Sequence, residues 1–192
     1  MKKSLKGFIS FAVAVFFAAA ACAQSLPEPK KYKVGKTQVW AIADSTGERA
    51  PNIFIADAEV IKKYVPSGKM KTAVMTFVIK TTDNIILVDT GYGAGLMAGL
   101  EKIGVKPEEV SIVLITHMHG DHISGLIKNN EAAFPNAKVK IGKIEYDFWT
   151  SDDSAANFPQ RKSNFDLAKQ AAGIYADSIE LFDFGSDAAP GI

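Results

Sequence analysis

All three histidines of the chain fall within one run, His117-Met118-His119-Gly120-Asp121-His122, which directly follows the apolar run Ile112-Val113-Leu114-Ile115-Thr116. A β-branched apolar run this short reads as a strand buried on both faces. The fold must therefore place a buried strand so that its C-terminal end opens onto a polar loop. A structural histidine is usually solitary, with one ring nitrogen satisfied by a backbone group. Three of them beside an aspartate are better explained as ligands, because imidazole nitrogen and carboxylate oxygen are the donors that Zn²⁺ accepts. In extended backbone, residues two apart point the same way, so His117 and His119 reach one ion together. Asp121 and His122 come where the chain turns, with Gly120 easing the bend, and aim at a second position. Two metals about 3.5–4 Å apart share a hydroxide and clamp a hydrolytic transition state.

Strand and helix patterns alternate around this cluster. Residues 37–43, 73–80, 84–89, 111–116, 137–141 and 179–184 read as strands, with 73–80 and 84–89 forming a hairpin. Residues 57–65 read as a short helix capped by Asp57, and 94–103 as a helix ended by Gly104. Residues 143–149 and 165–176 are helical, and 123–129 make one or two helical turns. Residues 24–36 read as an exposed lead-in, 47–52 as a loop and 151–163 as a polar loop. The alternation predicts a layered α/β fold in one domain.

The first residues stand apart. Lys2, Lys3 and Lys6 form a basic segment, and residues 8–21 form an apolar stretch ending in small residues. This pattern predicts a signal peptide over 1–23, too short and wrongly flanked for a membrane span, and a secreted or periplasmic protein. Cleavage within Ala21-Cys22-Ala23 is favoured over lipoprotein anchoring through Cys22, because Ala19 stands where an aliphatic residue such as Leu is usual. Cys22 is the only cysteine, so a processed domain forms no disulfide. Three of the 22 basic residues and none of the 21 acidic ones lie in this leader, which leaves the remainder at a net charge of −2 with histidine neutral. No dense basic run is interleaved with aromatics, so no nucleic-acid partner is expected.

The run Thr116-His117-Met118-His119-Gly120-Asp121-His122-Ile123-Ser124-Gly125-Leu126 resembles the HxHxDH motif of the metallo-β-lactamase superfamily with its Gly-Leu tail. Ile86-Leu87-Val88-Asp89-Thr90-Gly91 is similar to the Asp-Thr-Gly landmark upstream of that motif. Phe134-Pro135-Asn136-Ala137 and Glu145-Tyr146-Asp147-Phe148-Trp149 resemble the secreted, lactonase-like branch. The resemblance covers the chain from about Val39 onward. It implies the N-terminal half of an αβ/βα sandwich over residues 37–192, incomplete at the C-terminus, with the second half largely absent. It implies that His117 and His119 bind the first Zn²⁺, and that Asp121 and His122 bind the second. Asp121 would also orient the hydroxide or handle a proton, and Asp89 would position the ligand loop by hydrogen bonding. The implied reaction is attack of metal-bound hydroxide on an ester, lactone, amide or phosphoester of a small molecule, with lactones preferred.

No histidine follows His122, and none of the downstream aspartates sits in the setting of the family's bridging aspartate. Each metal position therefore keeps two ligands, and the expectation is a truncated chain with weak metal binding and little hydrolysis. The uncovered sheet face would favour self-association. Two rival readings use the same residues: a non-catalytic protein that holds a metal between subunits, and a metal-dependent oxidoreductase of the same fold. Gly91-Tyr92-Gly93-Ala94-Gly95 lacks the last glycine of a dinucleotide loop and reads as a plain loop. Phe148 and Trp149 read as helix packing rather than pocket lining. Ser45 and Ser67 have no histidine to activate them outside the cluster.

Overall fold

The strand runs assemble into one mixed sheet of seven strands, and the helices gather on one of its faces. A computed structural model describes residues 25–189. The leader over 1–23, including Cys22, lies outside the described residues. In chain order the elements are β1 (Lys30–Val34), β2 (Thr37–Arg49), α1 (Ala58–Tyr64), β3 (Met70–Lys80), β4 (Ile85–Val88) and α2 (Ala94–Lys102). β5 (Ile112–Ile115), α3 (Gly120–Ile123), β6 (Ile127–Lys128), β7 (Glu131–Ala132) and β8 (Lys138–Gly142) follow. The last are α4 (Lys143–Thr150), α5 (Asp152–Asn157), α6 (Lys162–Ile174) and β9 (Ile179–Phe182). Among the described residues, no helix is long and apolar enough to cross a membrane.

The sheet order is β1-β2-β3-β4-β5-β8-β9. β1 to β4 pair antiparallel with one another, whereas β4, β5, β8 and β9 pair in parallel. Parallel neighbours need a crossover, which α2 supplies between β4 and β5. β5 is central, and all four of its residues are buried. Each such side chain stabilises the fold by about 1.5–3 kcal/mol. Val88 is paired with Leu114, so β4 and β5 end side by side and deliver Asp89 and Thr116 to the same edge. Ligand sites in α/β sheets lie beyond such carboxyl ends.

Alternation divides the strand side chains between the two faces. Val78, Leu87, Val113, Ile115, Val139 and Ile141 pack with Leu96, Leu100, Trp149 and Phe165 in the main core beneath the helices. On the other face Ile86, Ile112 and Leu114 cluster with Ala189. Met75 and Phe77 share that second face and remain 37% and 40% exposed. α1 buries no residue.

Four segments differ from their sequence patterns. The lead-in contains β1, an exposed strand paired with β2 through a turn at Gly35 with φ +60°. β2 runs on to Arg49, through part of the expected loop, because its long hairpin partner β3 keeps pairing with it. The polar stretch 151–163 contains α5, started by Ser151, whose Oγ accepts from Ser154 N–H at 3.1 Å. β6 and β7 form a small hairpin whose turn residues, Asn129 and Asn130, have φ of 51° and 66°. Two consecutive positive φ values are the mark of a type I′ turn, for which asparagine is suited. Residues 91–93 are a loop that leads into α2, as their pattern indicates.

Tyr175, just after α6, ties the helical layer to the segment behind the histidine loop. Its buried hydroxyl donates to Leu126 O at 2.9 Å and accepts from Phe134 N–H at 3.0 Å. Burial pushes its phenol above the usual tyrosine value, which keeps it protonated as a donor. Tyr175→Phe leaves the buried Phe134 N–H without that acceptor. We expect a loss of about 1–3 kcal/mol in urea unfolding. An unchanged midpoint would contradict this bridge.

Candidate metal centre

β5 delivers Thr116 and the histidine run to the upper edge of the sheet. Met118 is fully buried in the main core, so its neighbours His117 and His119 point the other way, half-buried. His119 is extended, with φ −75° and ψ 157°, and its carbonyl accepts from His122 N–H at 3.0 Å to start α3. This turn folds His122 back over His117. The ring centroids of His117 and His119 stand 4.7 Å apart, and those of His117 and His122 stand 3.8 Å apart. Three imidazoles thus converge. Asp121 Oδ2 lies 3.8 Å from His122 Nε2, and the Asp121 side chain is 39% exposed.

The Asp89 carboxylate, 8% exposed, holds the loop from below. Its Oδ1 accepts from Thr116 N–H at 2.8 Å and its Oδ2 from Thr116 Oγ1 at 2.7 Å. Oδ2 also meets His122 Nδ1 at 2.8 Å. With Nδ1 engaged, Nε2 is the nitrogen His122 presents to the cluster. Asp89 has φ 56°, a left-handed conformation that aspartate tolerates better than most residues.

The next residues lock the two loops together. Thr90 N–H and Oγ1 both reach His122 O at 2.8 Å, and Gly125 N–H donates to Gly91 O at 3.1 Å. A Cβ on Gly125 would overlap Thr90 O, so only glycine permits this approach. On the far side, β2 has a register shift between Ala43 and Ser45. Asp44, at that bulge, turns its buried carboxylate onto Tyr92 N–H (2.7 Å), Gly93 N–H (3.1 Å) and Leu96 N–H (2.9 Å). Gly91, at φ +58°, leaves the space that the Asp44 carboxylate occupies.

Glu145 on α4 supplies another carboxylate. Its Oε2 accepts from Met118 N–H and from Trp149 Nε1, each at 3.0 Å. The Trp149 ring stands edge-on to His119 at 5.2 Å. Trp149 therefore packs in the core, as its helical position indicates, and also walls the cluster. Phe148 packs against Trp149, Phe158 and Phe165. Sequence reasoning missed Asp44, Thr90 and Glu145 as parts of the site. Their partners are far along the chain, and an acid in a helix or strand gives no sign of which loop it will meet.

The donor set fits a divalent metal in its chemistry. Two ligand atoms about 2.1 Å from a tetrahedral ion stand roughly 3.4 Å apart. The 3.8 Å between His122 Nε2 and Asp121 Oδ2 needs only a small adjustment to match. Burial, followed by the neighbouring His122 and His119, pushes His117 below the usual histidine value. That keeps its imidazole neutral and able to donate a lone pair. Among the described residues, no group of three or more His, Cys, Asp or Glu is gathered as a closed ion site. A cavity of about 320 Å³ adjoins Asp121, lined also by Ser45, Thr46, Arg49, Ile53 and Tyr92.

A sequence model of the metallo-beta-lactamase superfamily matches residues 71–180. Among solved structures, a hydrolase in the beta lactamase superfamily, AbOPH, is 28% identical with a TM-score of 0.75, over 85% of this chain and 64% of that one. AidC, a dizinc quorum-quenching lactonase, shares the fold with a TM-score of 0.70 at 24% identity, over 84% of this chain and 63% of its own. Ribonuclease Z of Aeropyrum pernix is 44% identical over 43 residues, which is 22% of this chain and 13% of that protein. The chain covers less than two thirds of these solved structures and far less of the curated relative.

The geometry makes Asp89 the residue whose chemistry is hardest to replace at this edge. Asp89→Asn puts an amide N–H₂ where a carboxylate oxygen now accepts. We expect Zn²⁺ affinity, measured by competition with a chromophoric chelator, to fall about 10–100-fold. Equal affinity in the variant would show that Asp89 does not orient His122.

Proposed function

The chain belongs to the metallo-β-lactamase superfamily, and from that premise we propose that it carries the metal-binding part of an exported hydrolase acting on small-molecule esters, with lactones the preferred class. The observation that supports this most is the convergence of three imidazoles and Asp121 at the adjacent ends of β4 and β5. Bound there, a divalent metal such as Zn²⁺ supplies Lewis acidity and a water of lowered pKa.

His117 and His119 hold one metal position, and Asp121 and His122 hold the other. Asp121 is the member of the set that faces the adjoining cavity, so it is placed to orient a water molecule or accept its proton. Asp89 fixes the ring of His122, and the Thr90 and Gly125 contacts keep the ligand loop from drifting. Such preorganisation matters because catalytic groups must be held near their productive geometry before substrate arrives. The preference for lactones rests on the resemblance at Phe134-Pro135-Asn136-Ala137 and at residues 145–149. Export rests on the basic segment and apolar stretch of residues 1–23, and cell fractionation checks it.

A second reading has its own support. Among the described residues no three such donors are grouped to hold an ion, which suits a metal shared between two copies of the chain. Zn²⁺-dependent dimerisation in light scattering, without turnover of any substrate, would favour that reading.

The test of the main reading is a Zn²⁺-supplemented assay against an N-acyl homoserine lactone, a phosphotriester and a β-lactam. We expect Zn²⁺ binding and at most weak chelator-sensitive lactone hydrolysis, since each metal position keeps two ligands, with any turnover reduced further in Asp121→Ala and lost with the bound metal in His117→Ala. Turnover of the phosphotriester or β-lactam alone would remove the lactone assignment. Absence of both Zn²⁺ binding at the cluster and turnover on all three would remove the hydrolase.

A further inference from the structure

We propose that Glu145 is a positioning residue for the His117/His119 metal position, acting from α4 through the backbone between the two rings. This deepens the metal-binding reading and rests on it. The argument begins with the alternation of the loop. Met118 drives its side chain into the core, and its N–H meets Glu145 Oε2 at 3.0 Å. That single N–H lies between the two residues whose rings must face one ion. Holding it restrains the His117–Met118 peptide plane, and with Met118 buried in the core this steadies the backbone from which both rings project.

A carboxylate is a strong choice for the task. Hydrogen bonds to an ionised acceptor are roughly twice as strong as neutral ones. The same Oε2 accepts from Trp149 Nε1, one helical turn on, and this pins the carboxylate in place. Trp149 is buried, and its ring stands edge-on to His119, so the linkage also sets the wall beside that imidazole. α4 itself is seated against α6. Asp89 orients His122 by touching its ring, whereas Glu145 touches neither His117 nor His119 by hydrogen bond and works through Met118. Asp89 thus holds the ligand run at Thr116 and His122, and Glu145 holds it between them at Met118.

The experiment is a Co²⁺ titration of the full chain, followed by visible absorbance and by tryptophan fluorescence. Wild type is measured first. A wild type that binds no Co²⁺ would overturn the metal reading and this inference with it. Given binding, Glu145→Ala is expected to weaken Co²⁺ affinity by about 10–100-fold and to change the Co²⁺ absorption envelope. Should Glu145→Ala fail to fold, Glu145→Met keeps the stem without the carboxylate and carries the same expectation. Glu145→Gln is expected to recover most of the affinity, because an amide oxygen can accept both N–H groups. Trp149→Phe keeps the Met118 bond but removes the Nε1 donor that steadies the carboxylate, and is expected to lose less affinity than Glu145→Ala. The inference is overturned if Glu145→Ala binds as wild type does, if Glu145→Gln is no better than Glu145→Ala, or if Trp149→Phe is as weak as Glu145→Ala.

Discussion

The hydrogen bonds of Asp89 are the interaction on which the upper edge of this sheet depends. β4 and β5 run parallel with Val88 beside Leu114, so the residues that follow them emerge together. Two emerging chains would diverge unless something joined them. The Asp89 carboxylate does so, binding Thr116 through both its N–H and its hydroxyl and His122 through its ring. The strained φ of 56° is what turns this carboxylate inward. Backbone strain of this kind persists only where surrounding contacts over-determine it, and it concentrates at functional sites. Here the contacts that enforce it and the residues it serves are the same.

The rest of the edge is an interlock built on that join. Thr90 grips the carbonyl of His122, Gly125 lies against Thr90, and Asp44 caps the loop from the bulge in β2. Asp44 and Asp89 hold different loops, Asp44 by three backbone N–H groups and Asp89 by one backbone N–H, a hydroxyl and an imidazole, each around an almost buried carboxylate. A buried carboxylate is costly unless its oxygens are satisfied. Three donors on each offset that cost, and the charge in return makes each bond stronger than a neutral acceptor would. The bulge fits the same logic, since bulges commonly re-aim a side chain beside a site.

The parts of this arrangement that could be read from sequence were the ones written in consecutive residues. The apolar runs at β3, β4 and β5 gave the strands, and the close spacing of His117, His119, Asp121 and His122 gave the cluster. Asp89 was legible through the resemblance of Asp89-Thr90-Gly91 to the family's landmark after an apolar strand. Asp44 was not, since its bond to Tyr92 spans 48 residues and a bulge leaves no mark in the strand's composition. Glu145 lies 27 residues from Met118, on a helix whose pattern reveals its buried stripe but not its contacts. Two local signals were simply outweighed. Ser151 followed by Asp152 and Asp153 is a helix start, with an N-cap and acids in the first turn, inside a stretch polar enough to read as loop. Asn129-Asn130 is a type I′ turn signal, but strands two residues long have no periodicity to announce them.

The electrostatics of the cluster follow from the same placement. Three imidazoles within one small space cannot all be protonated cheaply, because each cation would repel the others at short range. Burial acts in the same direction on His117, and both effects depress its proton affinity. Asp89 and Glu145 oppose this at His117, but more weakly than burial and the neighbouring rings. The balance leaves His117 neutral near pH 7, which is the state in which an imidazole donates a lone pair to a metal. At His117 the carboxylates are therefore the weaker influence. They serve to aim the histidines, Asp89 through the ring of His122 and Glu145 through the peptide at Met118. A site built in this way separates two tasks: burial and crowding set the protonation state, and the outer acids set the direction.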